Sequence, residues 1–136
     1  MIDATNVTSQ VVADKGTILF DSTRIYTGCS ARHESGSGRF VLLRPGIYEV
    51  SFGANVSLPT GATVTPIVIN ITQDGEAVAG SRMVFTPAAV DTVGSVHATV
   101  LLRVYEQGCC VALGVRNDTG AAIDVQDANL VITRHC

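Results

Sequence analysis

The chain has 136 residues, of which 9 are basic and 12 acidic, so its net charge is −3. This length suits one domain and is too short for two, and the lack of any basic block argues against nucleic acid as a partner. Hydrophobic residues make up 46% and charged residues only 15%, below the roughly 25% of ordinary soluble domains, so we expect a partner subunit to cover apolar surface.

The beginning of the chain is weakly patterned. Residues 1–16 are polar and lack the basic and apolar regions of a secretory signal, which predicts an extended N-terminal arm before a folded domain at residues 17–136. Short strands are expected at residues 17–20 and 24–27. No apolar run approaches the ~20 residues of a membrane helix, so we expect no contact with a membrane.

A Gly- and Ser-rich segment follows these first strands. Residues 33–38 predict a mobile loop without secondary structure. Its first residues, His33, Glu34 and Ser35, are therefore candidates for a ligand-contact loop, since binding residues often lie on loops.

The next segment, residues 39–57, contains two strand-like runs on either side of Pro45 and Gly46. The second run alternates apolar and polar residues, which is the period of two of a half-buried strand. Its apolar residues are Tyr48, Val50, Phe52, Ala54 and Val56. Pro45 has no backbone donor and Gly46 tolerates positive φ, so the pair predicts a tight connection and a central hairpin.

A second hairpin is predicted where Asp74-Gly75 separates a run at residues 66–73 from a partner strand within residues 76–85, because both central positions of a type I′ turn need positive φ. Residues 90–106 form the longest candidate strand. From Val96 to Val104 its even-numbered residues are apolar, whereas its odd-numbered residues include His97, Thr99, Leu101 and Tyr105. Leu and Tyr on the face opposite the core predict a surface covered by another chain.

The last part of the chain predicts strands at residues 109–116, 121–125 and 129–133, with a turn at residues 117–120. About eight to ten short strands with regular turn signals indicate an all-β, antiparallel sandwich. The residues predicted to be buried in its core are Tyr48, Val50, Phe52, Ile69, Val100, Leu102 and Leu130.

Cysteine spacing gives no sign of a metal or redox site. Cys29, Cys109, Cys110 and Cys136 contain no Cys-x-x-Cys pair, which argues against a zinc knuckle and a thioredoxin-like centre. We expect ordinary buried or free thiols. A disulfide from the adjacent pair to Cys29 or Cys136 is the alternative.

Catalytic chemistry is not indicated either. His33, His97 and His135 share no ligand spacing and none lies near a candidate nucleophile. The carboxylates of residues 74–76 and 117–120 fit turn chemistry better than a calcium loop. We therefore predict no catalytic residue, no metal, no cofactor and no enzymatic activity.

The order of these motifs resembles a known family. The segment Gly46-Ile-Tyr-Glu-Val-Ser-Phe52 resembles the Gly-x-Tyr-x-Val/Phe-x-Phe segment of tumour-necrosis-factor-like jelly rolls, which include the globular heads of complement and collagen-like proteins. Residues 40–43, 70–76 and 129–133 resemble the preceding strand, the hairpin and the closing strand of that family. The chain has no collagen repeat and no Trp, so it is more similar to small jelly rolls of bacterial prophages and of spore or virion surfaces.

This resemblance implies a homotrimer with an apolar axis and a structural or receptor-binding role. His97, Thr99, Leu101 and Tyr105 would then form the trimer interface. The expected function is a decoration or fibre-head protein of a virion or spore surface, made in the bacterial cytoplasm and attached to a capsid, tail or spore-coat protein through the arm. The alternative is an adhesion module that binds a cell-surface glycan or protein through loops at residues 30–38, 58–65 and 87–93.

Overall fold

A computed structural model of the chain describes residues 1–105 and 110–135. The described residues form twelve strands and no helix. The strands are β1 (Ile2–Asn6), β2 (Gln10–Val12), β3 (Ser22–Tyr26), β4 (Ala31–His33), β5 (Phe40–Leu42), β6 (Gly46–Ser57), β7 (Ile67–Gln73), β8 (Glu76–Ala77), β9 (Met83–Phe85), β10 (Gly94–Val104), β11 (Val111–Asn117) and β12 (Ile123–Arg134).

These strands form two antiparallel sheets. The first sheet has the order β10-β6-β12-β1-β3, with β2 also paired to β12. The second sheet has the order β4-β5-β11-β7-β8, with β9 also paired to β7. The prediction of an all-β sandwich is confirmed, and the number of strands exceeds the expected eight to ten.

The core lies between the sheets and follows from the alternation of side chains. On β6, Tyr48, Val50 and Phe52 are fully buried, and Phe52 lies opposite Leu130 of β12. Phe20 makes edge-to-face contacts with Phe40 of the second sheet and Phe52 of the first, with ring centroids 5.4 and 6.3 Å apart, a favoured aromatic geometry. All seven residues predicted to be buried are buried: Tyr48, Val50, Phe52, Ile69, Val100, Leu102 and Leu130.

Pro45 and Gly46 connect the two sheets rather than the two strands of a hairpin. β5 belongs to the second sheet and β6 to the first, so the predicted central hairpin is wrong. The Tyr48 hydroxyl lies 2.7 Å from the carbonyl oxygen of Arg44 and 3.2 Å from that of Ser30, which fixes the crossover. The alternation predicted both strands correctly but carries no information about which strand each one pairs with.

The beginning of the chain is part of the first sheet, not a free arm. β1 pairs with β12 from Ile2 to Asn6 and with β3 on its other side, and β2 pairs with β12 near Ile123. Ile2 and Ala4 are fully buried. The predicted extended arm is therefore wrong for β1 and β2. Their alternation of apolar and polar residues is too short to predict strands by itself, and they form strands because they pair with β12 from the other end of the sequence.

Three local predictions have different outcomes. The Asp74-Gly75 hairpin is confirmed, since Asp74 and Gly75 have φ of 53° and 87° and β7 pairs with β8 around them. Residues 17–20 make one isolated bridge, between Thr17 and Arg116, instead of a strand. The two strands predicted at the end of the chain are one, β12, which continues through a bulge where Asp127 has φ of 54°.

Candidate functional site

One exposed surface is the face of β10 that points away from the core. We call it the β10 face and define it as His97, Thr99, Leu101, Arg103 and Tyr105, the last lying just after the strand. Leu101 is 66% exposed and Tyr105 68%, which places them, with Val7 and Val11, among the most exposed large hydrophobic side chains of the described residues.

Hydrogen bonds join the β10 face to β6, and one cation–ring contact lies within the face. The Ser51 hydroxyl lies 3.4 Å from His97 Nε2 and 3.2 Å from Thr99 Oγ1. The Arg103 guanidinium lies 5.2 Å from the centre of the Tyr105 ring, within the range of a cation–π contact. No such contact covers Leu101, which pairs across the strands with Glu49.

Incomplete folding does not explain this exposure. The accessible surface of the chain is 6738 Å², close to the about 6,800 Å² expected for a compact monomer of 14.2 kDa. Next to the β10 face, β6 presents small side chains such as Ser51 and the bare backbone of Gly53.

Arg103 and Glu49 belong to the same outward surface, and sequence reasoning did not assign them to the interface. Arg103 lies two residues after Leu101, so the alternation along the strand already indicated that both side chains are on the same outer face. Glu49 Oε2 lies 3.0 Å from His135 Nε2. Opposite charges therefore flank the exposed Leu101, Arg103 on β10 and Glu49 on the neighbouring β6.

The predicted ligand-contact loop is only partly a loop. His33 ends β4, is 7% exposed and stacks on Phe40 with ring centroids 4.2 Å apart. Its Nε2 lies 2.8 Å from the Ser37 carbonyl oxygen and its Nδ1 lies 2.7 Å from the Thr23 hydroxyl. The expectation of a mobile His33 is wrong, because stacking and two hydrogen bonds hold it in the core. Glu34 and Ser35 are exposed, as a contact loop requires.

The two other predicted contact loops meet at one end of the sandwich. The Asp91 N–H donates to the Leu58 carbonyl oxygen at 3.1 Å. The Thr60 hydroxyl lies 3.2 and 3.1 Å from the two carboxylate oxygens of Asp91. These contacts join residues 58–65 to residues 87–93.

The main charged cluster surrounds Asp118, in the predicted turn at residues 117–120. Its carboxylate accepts hydrogen bonds from Arg116 at 2.7 Å, from Lys15 at 3.1 Å and from Asn70. Burial acts to raise the pKa of Asp118, but the hydrogen bonds from Arg116, Asn70 and Lys15 outweigh it and lower the pKa from 3.8 to about 2. The cluster ties the segment after β2 to β7 and β11, which is a structural role.

The cysteines have different states. Cys29 is a free, exposed thiol, as expected, and therefore makes no disulfide. Cys110 is disulfide-bonded, so the expectation of a thiol is wrong there. Cys109 and Cys136 lie outside the described residues. Within residues 1–105 and 110–135, no group of three or more His, Cys, Asp or Glu side chains is placed to hold a metal ion, and no helix could span a membrane.

Comparison with known proteins identifies the fold. No protein-family model matches the sequence, and no curated protein matches it in sequence. In structure, the chain is similar to Eiger TNF from S. frugiperda, with a TM-score of 0.70 and 14% identity over 99% of this chain and 92% of that one. It is also similar to murine APRIL at pH 5.0, with a TM-score of 0.65 and 11% identity over 98% of both chains.

A further similar structure is the PRD1 vertex protein P5, with a TM-score of 0.54 and 16% identity over 99% of this chain and 96% of that one. Together with the two-sheet topology, these likenesses define the class of the protein: it has the tumour-necrosis-factor-like jelly-roll fold. The fold expected from the Gly46–Phe52 motif is confirmed.

Proposed function

We propose that this protein is a non-enzymatic structural protein that assembles as a homotrimer through the β10 face. The observation that carries the proposal is Leu101, which is two-thirds exposed on the same strand face as the exposed Tyr105. Burying it between subunits would contribute about 1–2 kcal/mol per copy by the hydrophobic effect. His97, Thr99 and Tyr105 would join it in the interface, which as a permanent contact would bury on the order of 2,000 Å² or more per pair.

The proposed location is the surface of a virion or spore, where the trimer would be a decoration or fibre-head protein made in the bacterial cytoplasm. The likeness to the PRD1 vertex protein P5 supports a place on a particle. A capsid, tail or spore-coat protein would be the partner. Since β1 and β2 are paired within the sheet, the attachment would use an outer surface of the trimer and not a free N-terminal arm.

Electron microscopy of particles assembled with and without the protein tests this location. The proposal expects a three-fold feature that is missing from the particles without the protein and returns on complementation. Identical particles in both preparations would refute the virion or spore role. This result would not bear on the homotrimer, which is tested separately by measuring the mass of the protein in solution.

A further inference from the structure

Two adjoining clefts lie on the outer face of the second sheet, opposite the proposed trimer surface. One has a volume of about 270 Å³ and is bordered by Arg32 and Glu34. The other has a volume of about 320 Å³ and is bordered by Thr17 and Gly114. Ser37 and Arg39 line both clefts, so the Arg39 side chain lies between two spaces at the small end of the range for ligand sites.

The arginines of these clefts lack the partners that other basic residues have. Of the 9 basic residues, six contact a carboxylate, a carbonyl, a sulfur or a ring: Lys15, Arg24, Arg44, Arg103, Arg116 and Arg134. Among the described residues, Arg32, Arg39 and Arg82 make no such contact. Two of these three line the same cleft, where their donors are available to a ligand.

Strand register places the two arginines on one face of the sheet. Arg32 lies directly opposite Val41 in the β4–β5 pair. Arg39 precedes Val41 by two residues and is therefore the diagonal neighbour of Arg32 on the same face, at about 7–8 Å between backbones. Long side chains at this spacing can donate to one anion, which would also relieve the repulsion between them.

The loop beneath the clefts is held rigidly. The Ser37 carbonyl oxygen accepts the Phe20 N–H at 3.2 Å and lies 2.8 Å from the Nε2 of buried His33. A side chain at Gly38 would lie 2.5 Å from Thr17 Cγ2, so Gly38 permits close contact between the two segments. Ser37 Oγ accepts the Arg39 N–H at 3.0 Å, which leaves its hydroxyl hydrogen free to donate to a ligand.

We propose that these clefts bind an acidic sugar, with its carboxylate between Arg32 and Arg39 and its ring hydroxyls toward Ser37 and Thr17. The planar fork of Arg matches a carboxylate. Among the described residues that line the clefts there is no Phe, Tyr or Trp, and the His33 ring is stacked on Phe40, so charge and hydrogen bonds rather than ring stacking would hold the sugar. Glu34 also borders the site and opposes the anion. The inference does not depend on the homotrimer, because the outer faces of the two sheets point in opposite directions.

Isothermal titration calorimetry of the full chain with glucuronic acid, glucose and acetate tests the proposal. Glucuronic acid is expected to bind at least about tenfold more tightly than either glucose, which lacks the carboxylate, or acetate, which lacks the hydroxyls. Equal affinity for glucose would overturn the role of the arginines. Equal affinity for acetate would contradict recognition of the sugar hydroxyls. No binding of glucuronic acid would contradict the proposal that the clefts bind an acidic sugar.

Substitutions of single residues test whether glucuronic acid binds in these clefts. Arg39→Gln should weaken glucuronic acid binding at least about tenfold, and Glu34→Gln should strengthen it about two- to fivefold by removing the opposing charge. Arg82→Gln, which removes an equally unpartnered arginine outside the clefts, is the matched control and should change nothing. An Arg39→Gln variant that binds as the wild type does, or an Arg82→Gln variant that loses binding, would contradict the assignment.

Discussion

Replacing Asp118 by Asn removes one charge that joins three segments of the chain. The carboxylate accepts hydrogen bonds from Lys15, Asn70 and Arg116, and its side chain is 9% exposed. Asn keeps nearly the same shape but carries no charge and turns one acceptor into a donor. The variant therefore tests the electrostatic contribution of the cluster with little change in packing.

The size of the effect follows from the pKa. A pKa lowered from 3.8 to about 2 in the folded state corresponds to about 2 kcal/mol of stability at neutral pH. Water screens part of this, because Lys15 is 66% exposed, so we expect about 1–2 kcal/mol. Since the folded pKa is depressed, the contribution is complete above about pH 4 and is lost as the pH falls through about 2.

Urea denaturation of wild type and Asp118→Asn at several pH values, at one protein concentration, measures this contribution. The free energies of unfolding should differ by about 1–2 kcal/mol at pH 7 and converge as the pH falls from 4 to 2. A difference that stays constant with pH would mean that the charge of Asp118 is not responsible. No difference at pH 7 would mean that the cluster does not stabilise the fold.

Two further predictions concern the core and a turn. Phe52→Ala should lower the free energy of unfolding by about 3–5 kcal/mol, because the side chain is fully buried between the sheets; a loss below about 1 kcal/mol in urea titration would contradict this. Gly75→Ala should cost about 1 kcal/mol by the same assay, because Gly75 has φ of 87°, which is unfavourable for a residue with Cβ; an unchanged midpoint would contradict a strained turn.

The parts of the fold that were predictable from sequence are those with local causes. Alternation predicted β6 and β10 and the buried Phe52, since side chains on a strand repeat every two residues. The Asp74-Gly75 turn was predictable because its φ values need those residue types. In each case, the physical reason lies within about ten residues of chain.

The errors concern pairing between distant segments. β1 is a strand because β12 binds it from the far end of the chain, and β5 and β6 separate into different sheets although only three residues connect them. Neither arrangement has a local signal. His33 is buried because of Phe40 and Ser37, which its Gly- and Ser-rich surroundings do not indicate.

The candidate sites show the same division. Leu101 could be identified from the sequence, because the alternation places it on the solvent-facing side of the strand, where a large apolar residue is unusual. Arg32 and Arg39 could not, since an arginine on a short strand or just before one usually lies in solvent without a role. Only the β4–β5 register and the lack of partners for their side chains distinguish them.

Gel filtration coupled to light scattering tests the homotrimer most directly. The wild type at micromolar concentration should have a mass of about 43 kDa, three times 14.2 kDa. Leu101→Arg would bring three like charges together in a buried contact and should give a folded monomer of about 14 kDa or fail to fold. Val84→Arg, at a site 48% exposed on the second sheet, is the matched control and should remain near 43 kDa. A monomeric wild type, or a Leu101→Arg variant that stays at 43 kDa, would contradict assembly through the β10 face.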